Sequence, residues 1–269
     1  MDKKEFSLER KQYLKKIKKK KYLILLTQIS ILVGFLALWE FLANKNIIDS
    51  FITSQPSRIL TTFLNLSSND LLKHIWVTSY ETIVGFLLGT VLGIIIAIIL
   101  WWSNFLSKVS EPFLVILNSL PKVALGPIII IWVGAGTPAI IVMAIAISLI
   151  VTILENLNGF LKTDTEIIKM AHTFKATKMQ VLTKIVIPAN LSTFINSLKV
   201  NIGLSLVGVI SGEFLVSKAG LGYLIVYGGQ VFKLDLVMTS VIILGIVAGL
   251  MYSIVLLLEK FILNSKKFK

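Results

Sequence analysis

The sequence contains no cysteine and only two histidines, His74 and His172. Disulfide bonds, thiolate metal sites and a thiol nucleophile are therefore excluded, and so is a histidine-rich metal cluster. Carboxylates are scarce as well, with 14 aspartates and glutamates against 27 lysines and arginines. Those in apolar segments are scattered, whereas a membrane-embedded hydrolase or transferase should show clustered His, Asp or Glu, or a Ser–Lys dyad. We predict no catalytic site, no metal and no bound cofactor in this chain.

Apolar residues make up 55% of the 269 positions, and the mean hydropathy is +0.86. A soluble domain of this composition would expose large apolar patches and aggregate. The composition therefore predicts an all-α integral membrane protein, with spans long enough for a hydrocarbon core of about 30 Å. Six spans are expected, at residues 22–43, 77–102, 112–133, 139–157, 194–216 and 236–258.

Ten of the basic residues lie within positions 1–21, and the interleaving of aromatic and basic residues that nucleic-acid binding would require does not follow them. Such a run is typical of a cytoplasmic end near anionic lipid. A signal peptide is the alternative, but the apolar run is too long and lacks a cleavage site before Asn44. Twenty basic residues fall in the segments that would then be cytoplasmic and five in those that would be external, so both termini are predicted to be cytoplasmic.

We divide the chain accordingly. A basic N-terminal segment (1–21) precedes the first span (22–43) and an external loop (44–76), which could carry a short helix from Pro56 to Leu66. A core of five spans occupies 77–262, and a cytoplasmic tail follows at 263–269.

One polar, helix-patterned stretch, 163–188, interrupts the apolar core between the fourth and fifth spans. Apolar residues at i, i+3, i+4 and i+7 predict one face of an amphipathic helix, and Thr163 with Glu166 has the spacing of a capping box. The residues of this face are Ile167, Met170, Ala171 and Phe174. After a break at Lys175–Ala176, Thr177 could cap a second helix that ends near Pro188. The side chains expected on one side of this second helix are Met179, Leu182 and Val186.

This stretch resembles the coupling segment of the permease subunit of binding-protein-dependent ABC importers of the type I arrangement. The family pattern reads Glu-Ala-Ala, three residues, Gly, nine residues and a hydrophobic-x-hydrophobic-Pro close. The matching positions here are Lys169-Met170-Ala171, then Lys175, then Ile185-Val186-Ile187-Pro188. Lys169, Met170 and Lys175 depart from the pattern. If the turn needs a positive φ, a lysine in place of glycine costs roughly 1 kcal/mol.

Three further stretches resemble the subfamily that serves nitrate, sulfonates, taurine and similar small solutes. Residues 79–86 resemble its Ser-Leu-x-Arg-x-x-x-Gly-Phe opening, except that Glu81-Thr82 stands in the arginine region. Residues 120–136 resemble its proline-rich and Trp-Phe-Gly-x-Gly run, and residues 212–222 resemble its acidic residue with Gly-Leu-Gly. Four matches in order, over roughly residues 55–262, are far more specific than any one alone.

The resemblance implies a dimer of six-span permeases in a bacterial cell membrane, an external solute-binding protein and two ATPase subunits that hold ATP–Mg. The chain would form the path for a small solute and perform no hydrolysis; it contains no Gly-x-x-x-x-Gly-Lys-Ser/Thr loop. The predicted ATPase-docking residues are Ile167, Lys169, Met170, Ala171, His172, Phe174, Lys175 and Ala176. A helix lying on the lipid surface is the alternative for this face.

Other residues are assigned to the path or to partners. Pro121 and Pro127 would break the third span, and such breaks are tolerated where protein or a water-filled cavity receives the freed carbonyls. Glu213 could face the path or be held by Lys199, Lys218 or a backbone amide. Lys122 could face an anionic solute or pair with Glu155.

We place Gly220, Leu221 and Gly222 at the binding-protein contact and expect the glycine stripe of the second span (85, 89, 93) to pack helices. A stand-alone secondary transporter, which should show an inverted repeat, is the competing function. Whether the permease is a homodimer or a heterodimer stays open, as does the solute, which could be a sulfonate, taurine, nitrate, a vitamin or a pyrimidine precursor.

Overall fold

The computed structural model describes residues 8–67 and 70–266, which form helices and turns and contain no strand. Within this part of the chain, five helices are long and apolar enough to cross a membrane. A sixth crossing results if one sharply bent pair of helices counts as a single span. The prediction of an all-α protein with six spans is confirmed.

Contacts divide the chain into two compact units, Met1–Leu64 and Asn65–Lys269. The first holds α1 (Leu8–Asn44), α2 (Ser50–Thr53) and most of α3 (Pro56–Ser67), which is the short helix expected from Pro56. The amide and hydroxyl of Ser57 donate to the Glu40 carboxylate at 3.0 and 2.9 Å. A carboxylate at a helix N-terminus is favourable, so Glu40 fixes the start of α3 on the end of α1.

The predicted terminal segments are only partly covered. Of the basic segment 1–21, residues 1–7 lie outside the described residues. In the tail 263–269, residues 267–269 lie outside the described residues.

The second unit is built on three long helices, α4 (Leu71–Trp102), α7 (Thr137–Leu161) and α11 (Leu191–Val216). Gly85, Gly89 and Gly93 of α4 face small residues of α7, and a β-carbon at any of them would come within 3 Å of an α7 side chain. Small residues at this spacing let two helices approach closely. The glycine stripe therefore has the packing role that the sequence predicted.

The predicted third span, 112–133, is broken. It consists of α5 (Asn104–Ser119), a 3₁₀ turn (Lys122–Leu125) and α6 (Gly126–Val133), with a bend of 87°. Pro121 lies at the break as predicted, whereas Pro127 lies in the first turn of α6, where a missing amide hydrogen breaks no ladder. Residues 104–111, predicted as a loop, are helical because Ser103 caps α5 by accepting from the amide of Leu106.

Helices α12 (Leu221–Gln230) and α13 (Leu234–Lys266) complete the unit and pack on α4 and α11 through an apolar cluster. Lys199 of α11 forms an ion pair with Glu259 of α13 at 2.7 Å. The second span begins at Leu71 rather than at residue 77. The polar residues Lys73 and His74 lengthen this helix beyond its apolar stretch, so hydropathy placed its start six residues late.

Candidate functional site

The stretch between α7 and α11 folds as two short helices, α8 (Thr165–Thr173) and α9 (Lys178–Val181), a π turn (Leu182–Val186) and α10 (Ile187–Ala189). Asp164, not Thr163, caps α8, because its carboxylate accepts from the amide of Glu166 at 2.8 Å. Thr163 is buried, and its hydroxyl accepts from Asn190 Nδ2 at 2.8 Å. The predicted capping box at Thr163 was therefore wrong by one residue.

Helix α8 has apolar residues on two faces. Ala171 is buried and Ile168 is half-buried, and both pack on the cluster that includes Leu157 and Phe160 of α7. On the other face, the exposed fractions are 43% for Ile167, 56% for Met170 and 78% for Phe174. We call these three side chains the α8 outer face.

Two of the predicted docking residues must be reassigned. Ala171 is buried because a helix packed on a bundle turns one apolar stripe inward. Ala176, in the turn that follows α8, is half-buried against the same core cluster. Lys169, His172 and Lys175 are exposed, and they border the α8 outer face.

The turn between α8 and α9 has the backbone conformation that the family's glycine position suggests. Lys175 has φ +59°, and its amide donates to the His172 carbonyl oxygen at 2.9 Å. Ala176 then donates to the Ala171 carbonyl oxygen at 3.0 Å, which closes the end of α8. Lysine thus occupies a left-handed position, at a cost of roughly 1 kcal/mol relative to glycine.

Helix α9 is anchored at its N-terminal end. Thr177 and Gln180 form a reciprocal capping box, so the predicted cap at Thr177 is confirmed. The Lys178 ammonium donates to the carbonyl oxygen of Trp102 at the end of α4 and lies 5.5 Å from the centre of that indole ring. These contacts hold the α8–α9 segment firmly against the bundle.

The second helix does not bury all the residues predicted to share one side. Leu182 and Val186 are buried in the core, but Met179 is exposed. Leu182 and Val186 lie within the π turn, which winds more widely than an α-helix, so a simple 3.6-residue pattern across 179–186 fails.

A different arrangement lies where α11 ends and α12 begins. Glu213 is only 2% exposed, and its carboxylate accepts from the Thr78 hydroxyl at 2.6 Å and from the Gly222 amide at 2.5 Å. Thr78 in turn accepts from the Leu221 amide at 2.8 Å, and the Gly220 amide donates to His74 Nδ1 at 3.0 Å. We call this group the Glu213 clamp, which comprises His74, Thr78, Glu213, Gly220, Leu221 and Gly222.

The clamp decides between the alternatives left open for Glu213, in favour of a backbone amide, and corrects the expectation for residues 220–222. Glu213 is held by a hydroxyl and a backbone amide, while Lys199 pairs elsewhere. Gly220, Leu221 and Gly222 are buried, so they offer little exposed surface for contact with a binding protein. Gly220 has φ +123°, and a β-carbon there would collide with the Glu213 carboxylate. Glycine is required at this position for both reasons.

Comparison with known proteins identifies the architecture. Residues 89–266, about two thirds of the chain, match the model of the family described as "Binding-protein-dependent transport system inner membrane component". The chain belongs to this family. It is the membrane-spanning permease subunit of an ABC importer, rather than a stand-alone transporter, and it is a multi-pass protein of the cell membrane.

Curated relatives of this permease cover most of both chains. A probable ABC transporter permease of Haemophilus influenzae is 31% identical over 242 residues, 88% of this chain and 97% of that one. A putative aliphatic sulfonates transport permease of Bacillus subtilis is 26% identical and covers 85% of this chain and 83% of its own. The taurine transport permease of Escherichia coli is 22% identical, with 83% and 85% covered. The predicted subfamily is confirmed.

Solved structures share the fold. An inward-facing methionine ABC transporter matches with a TM-score of 0.62 and 21% identity over 69% of this chain and 92% of that chain. A bacterial ABC transporter that imports alginate matches with a TM-score of 0.63 and 16% identity over 93% and 99%.

Within the permease, the residues predicted along the path lie apart from the α8–α9 segment. Lys122 begins the 3₁₀ turn that follows Pro121, and its ammonium donates to the Asn118 carbonyl oxygen at 3.1 Å rather than pairing with Glu155. Their assignment to the path stays a prediction.

Sequence reasoning missed a polar seam between α7 and α11. Asn201 Nδ2 donates to the Thr152 hydroxyl at 2.5 Å, and Asn156 Nδ2 donates to the Ser197 hydroxyl at 3.2 Å. All four side chains are buried. Asn, Ser and Thr within apolar spans were the available signal, because such residues often join helices in membranes.

Proposed function

We propose that the α8–α9 segment docks the ATPase subunit that drives this importer, and that two copies of the permease surround the solute path. The observation that carries the proposal is the α8 outer face: three large apolar side chains stay exposed on a helix whose opposite face is packed into the core. A free amphipathic face of this kind suits a groove on a partner, with anchors at i, i+3 and i+7.

The anchoring of α9 supports a role in coupling. Because Lys178 ties α9 to the end of α4, and Leu182 and Val186 lie in the same core as α4 and α7 residues, a push on α8 reaches the long helices directly. Closure of an ATPase dimer would then move these helices as a rigid body. ATP and magnesium would be held by the partner chain, and this chain would perform no hydrolysis.

Lysine placement supports a cytoplasmic position for this segment. Lys162, Lys169, Lys175, Lys178 and Lys184 all lie on or beside α8 and α9. Cytoplasmic loops carry such an excess of basic residues. An external binding protein would therefore meet the opposite side of the membrane.

Co-purification of the ATPase tests the docking proposal. We expect the doubly substituted permease Met170→Asp/Phe174→Asp to lose the ATPase from membranes solubilised in mild detergent. The matched control is Phe232→Asp, which charges an equally exposed phenylalanine in the turn between α12 and α13. The double variant should keep the elution volume and unfolding temperature of the wild type, since the α8 outer face makes no core contact.

If the double variant retained a stoichiometric ATPase, the docking proposal would be wrong. The lipid-surface alternative would then account for the exposed face. A mass measurement of the intact detergent-solubilised complex tests the second part: we expect two copies of this chain, and a single copy or a different second permease would contradict the homodimer.

A further inference from the structure

A cavity of about 590 Å³ lies between the α8–α9 segment and the ends of the long helices beside it. Trp101 and Asn104 line it where α4 ends and α5 begins. Phe160 and Leu161 line it at the end of α7. Pockets that bind small molecules commonly measure about 300–1,000 Å³. The cavity is therefore large enough for a small ligand, and it lies at the level where two apolar spans end.

Helix α8 turns a second face towards this cavity. Thr165, Ile168 and His172 line the cavity, at i, i+3 and i+7. With about 3.6 residues per turn, this face lies roughly opposite to the α8 outer face. A ligand in the cavity would therefore contact α8 from the side of the bundle and leave the α8 outer face free.

The cavity wall carries a positive charge that no carboxylate balances. The Lys178 ammonium donates to the Trp102 carbonyl oxygen and lies 5.9 and 5.5 Å from the centres of the Trp101 and Trp102 rings. No aspartate or glutamate lines the cavity, and within residues 8–67 and 70–266 none forms an ion pair with Lys178. An ammonium has three donors, so two of them remain for a ligand that carries negative charge.

Neutral donors lie on the wall of the same cavity. Thr163 is 8% exposed, and its hydroxyl accepts from Asn190 Nδ2, while its own hydrogen has no acceptor among the described residues. The side-chain amide of Asn104 likewise forms no hydrogen bond with any described residue. An ammonium, a hydroxyl and an amide around one cavity suit an oxyanion with several acceptor oxygens, and lysine is a common ligand of phosphate.

The position of the cavity favours a lipid as the source of that phosphate. Tryptophan is enriched at the level of the lipid headgroups, and Trp101 and Trp102 end α4 beside the cavity. Basic pockets between spans on the cytoplasmic side bind anionic headgroups. Next to Asn104, the first turns of α5 expose apolar side chains that suit contact with acyl chains. These side chains are Phe105, Leu106 and Val109.

We propose that this cavity binds the phosphate headgroup of an anionic phospholipid from the cytoplasmic leaflet. Lys178 contacts the phosphate, the Thr163 hydroxyl and the Asn104 amide donate to its other oxygens, and the acyl chains lie along α5. The bound lipid fills the space between α8 and the ends of α4 and α7. Lipid binding requires no ATPase, and it depends on the proposed function only for the cytoplasmic position of the α8–α9 segment.

Lipid retention by the purified full-length permease tests the proposal. The protein is reconstituted in nanodiscs of phosphatidylglycerol mixed with phosphatidylcholine of the same acyl chains, and native mass spectrometry identifies the lipids that stay bound after release. We expect one phosphatidylglycerol per chain to be retained about tenfold or more in preference to phosphatidylcholine, since hydrogen bonds to a charged group contribute that much. Glycerol 1-phosphate and inorganic phosphate, which lack acyl chains, should not displace it.

Lys178→Gln should lower this retention about tenfold, whereas Lys178→Arg, which keeps the charge, should preserve most of it. The matched control is Lys184→Gln, because Lys184 is an exposed lysine of the same segment that lies outside the cavity. We expect Lys184→Gln to leave lipid retention unchanged.

A second variant separates lipid binding from any folding defect of Lys178→Gln. Asn104→Trp places a large side chain in the cavity and leaves Lys178 and its contacts with α4 in place. It should also lower the retention of phosphatidylglycerol. All of these variants should elute as the wild type does on size exclusion.

Equal retention of the two lipids would overturn the proposal, as would equal retention of phosphatidylglycerol by Lys178→Gln and Lys184→Gln. Displacement of the bound lipid by glycerol 1-phosphate or inorganic phosphate would also overturn it and would assign the cavity to a soluble phosphate compound. ATPase docking without selective lipid retention would refute the lipid site only. Selective lipid retention without ATPase docking would refute the docking proposal only.

Discussion

The two ends of the second unit differ in what they bury: one end leaves apolar side chains exposed, and the other buries a carboxylate. At one end, the α8 outer face leaves Ile167, Met170 and Phe174 exposed on a helix that is otherwise packed. At the other, the Glu213 clamp buries a carboxylate and satisfies it with a hydroxyl and a backbone amide. Exposed apolar side chains cost little within a monomer and become favourable on binding a partner, whereas buried polar groups are costly unless each is paired.

Stability and the proposed coupling to the ATPase therefore depend on different parts of this permease. The Glu213 clamp closes the turn between α11 and α12 through partners within the chain, so substitutions in the clamp should destabilise the folded permease. On the docking proposal, the α8 outer face contributes contacts only when the ATPase is bound, so changes there should spare folding and weaken assembly. Four predictions sharpen this contrast, in order of decreasing effect on stability.

The largest loss of stability is expected from Gly220→Ala. The alanine would adopt φ +123° and its β-carbon would collide with the Glu213 carboxylate, a cost of about 3 kcal/mol or more. Gly249→Ala is the matched control, because nothing lies within 4 Å of its β-carbon position. Unfolding in detergent, followed by intrinsic fluorescence, measures the stability of both variants. Equal stability would show that the Glu213 clamp does not stabilise the permease.

Thr78→Val should cost about 2 kcal/mol, because it removes a donor to Glu213 and the acceptor for the Leu221 amide while keeping the shape. Thr82→Val, one turn further along α4, removes only a bond to the Thr78 carbonyl oxygen of the same helix. We expect less than about 1 kcal/mol there. The same unfolding measurement compares the two variants. A loss of stability from Thr82→Val as large as that from Thr78→Val would contradict the role of Thr78 in the Glu213 clamp.

Lys175→Gly should stabilise the permease by about 0.5–1 kcal/mol, because glycine adopts φ +59° without strain. The same change at Lys169, inside α8, should destabilise by about 1 kcal/mol. Opposite shifts of the unfolding midpoint are therefore expected from two lysine-to-glycine changes six residues apart. Shifts of one sign would show that the turn is relaxed in solution.

Phe174→Ser should change the free energy of unfolding by no more than about 0.5 kcal/mol. The expected effect is on assembly, with affinity for the ATPase reduced about tenfold or more, as for an aromatic anchor. Phe160→Ser provides the opposite case, because that ring is buried and its loss should cost about 3–5 kcal/mol. A large stability loss from Phe174→Ser would place its ring in the core.

Hydropathy was sufficient to predict the fold class and the number of spans, because it depends on residues averaged over a whole helix. Single positions were less predictable. The capping residue of α8 was missed by one position, since Asp164 and Thr163 are both good caps and only packing decides that Thr163 pairs with Asn190. The inward turn of Ala171 likewise depends on the α7 surface beneath it.

The Glu213 clamp shows a second limit of prediction from the sequence. Glu213 and Gly220 were recognisable as unusual, but their partners Thr78 and His74 lie more than 130 residues earlier in the chain. Local pattern contains no information about such pairings.

Site-directed crosslinking at Met170 directly tests whether the ATPase binds the α8 outer face. The chain has no cysteine, so Met170→Cys provides a single thiol for a maleimide–benzophenone probe in native membranes. After illumination, we expect the Met170→Cys probe to form an adduct of this chain with the ATPase subunit, and Phe232→Cys to form none. Attachment of the Met170 probe to lipid alone would contradict ATPase docking and would assign the α8 outer face to the membrane surface.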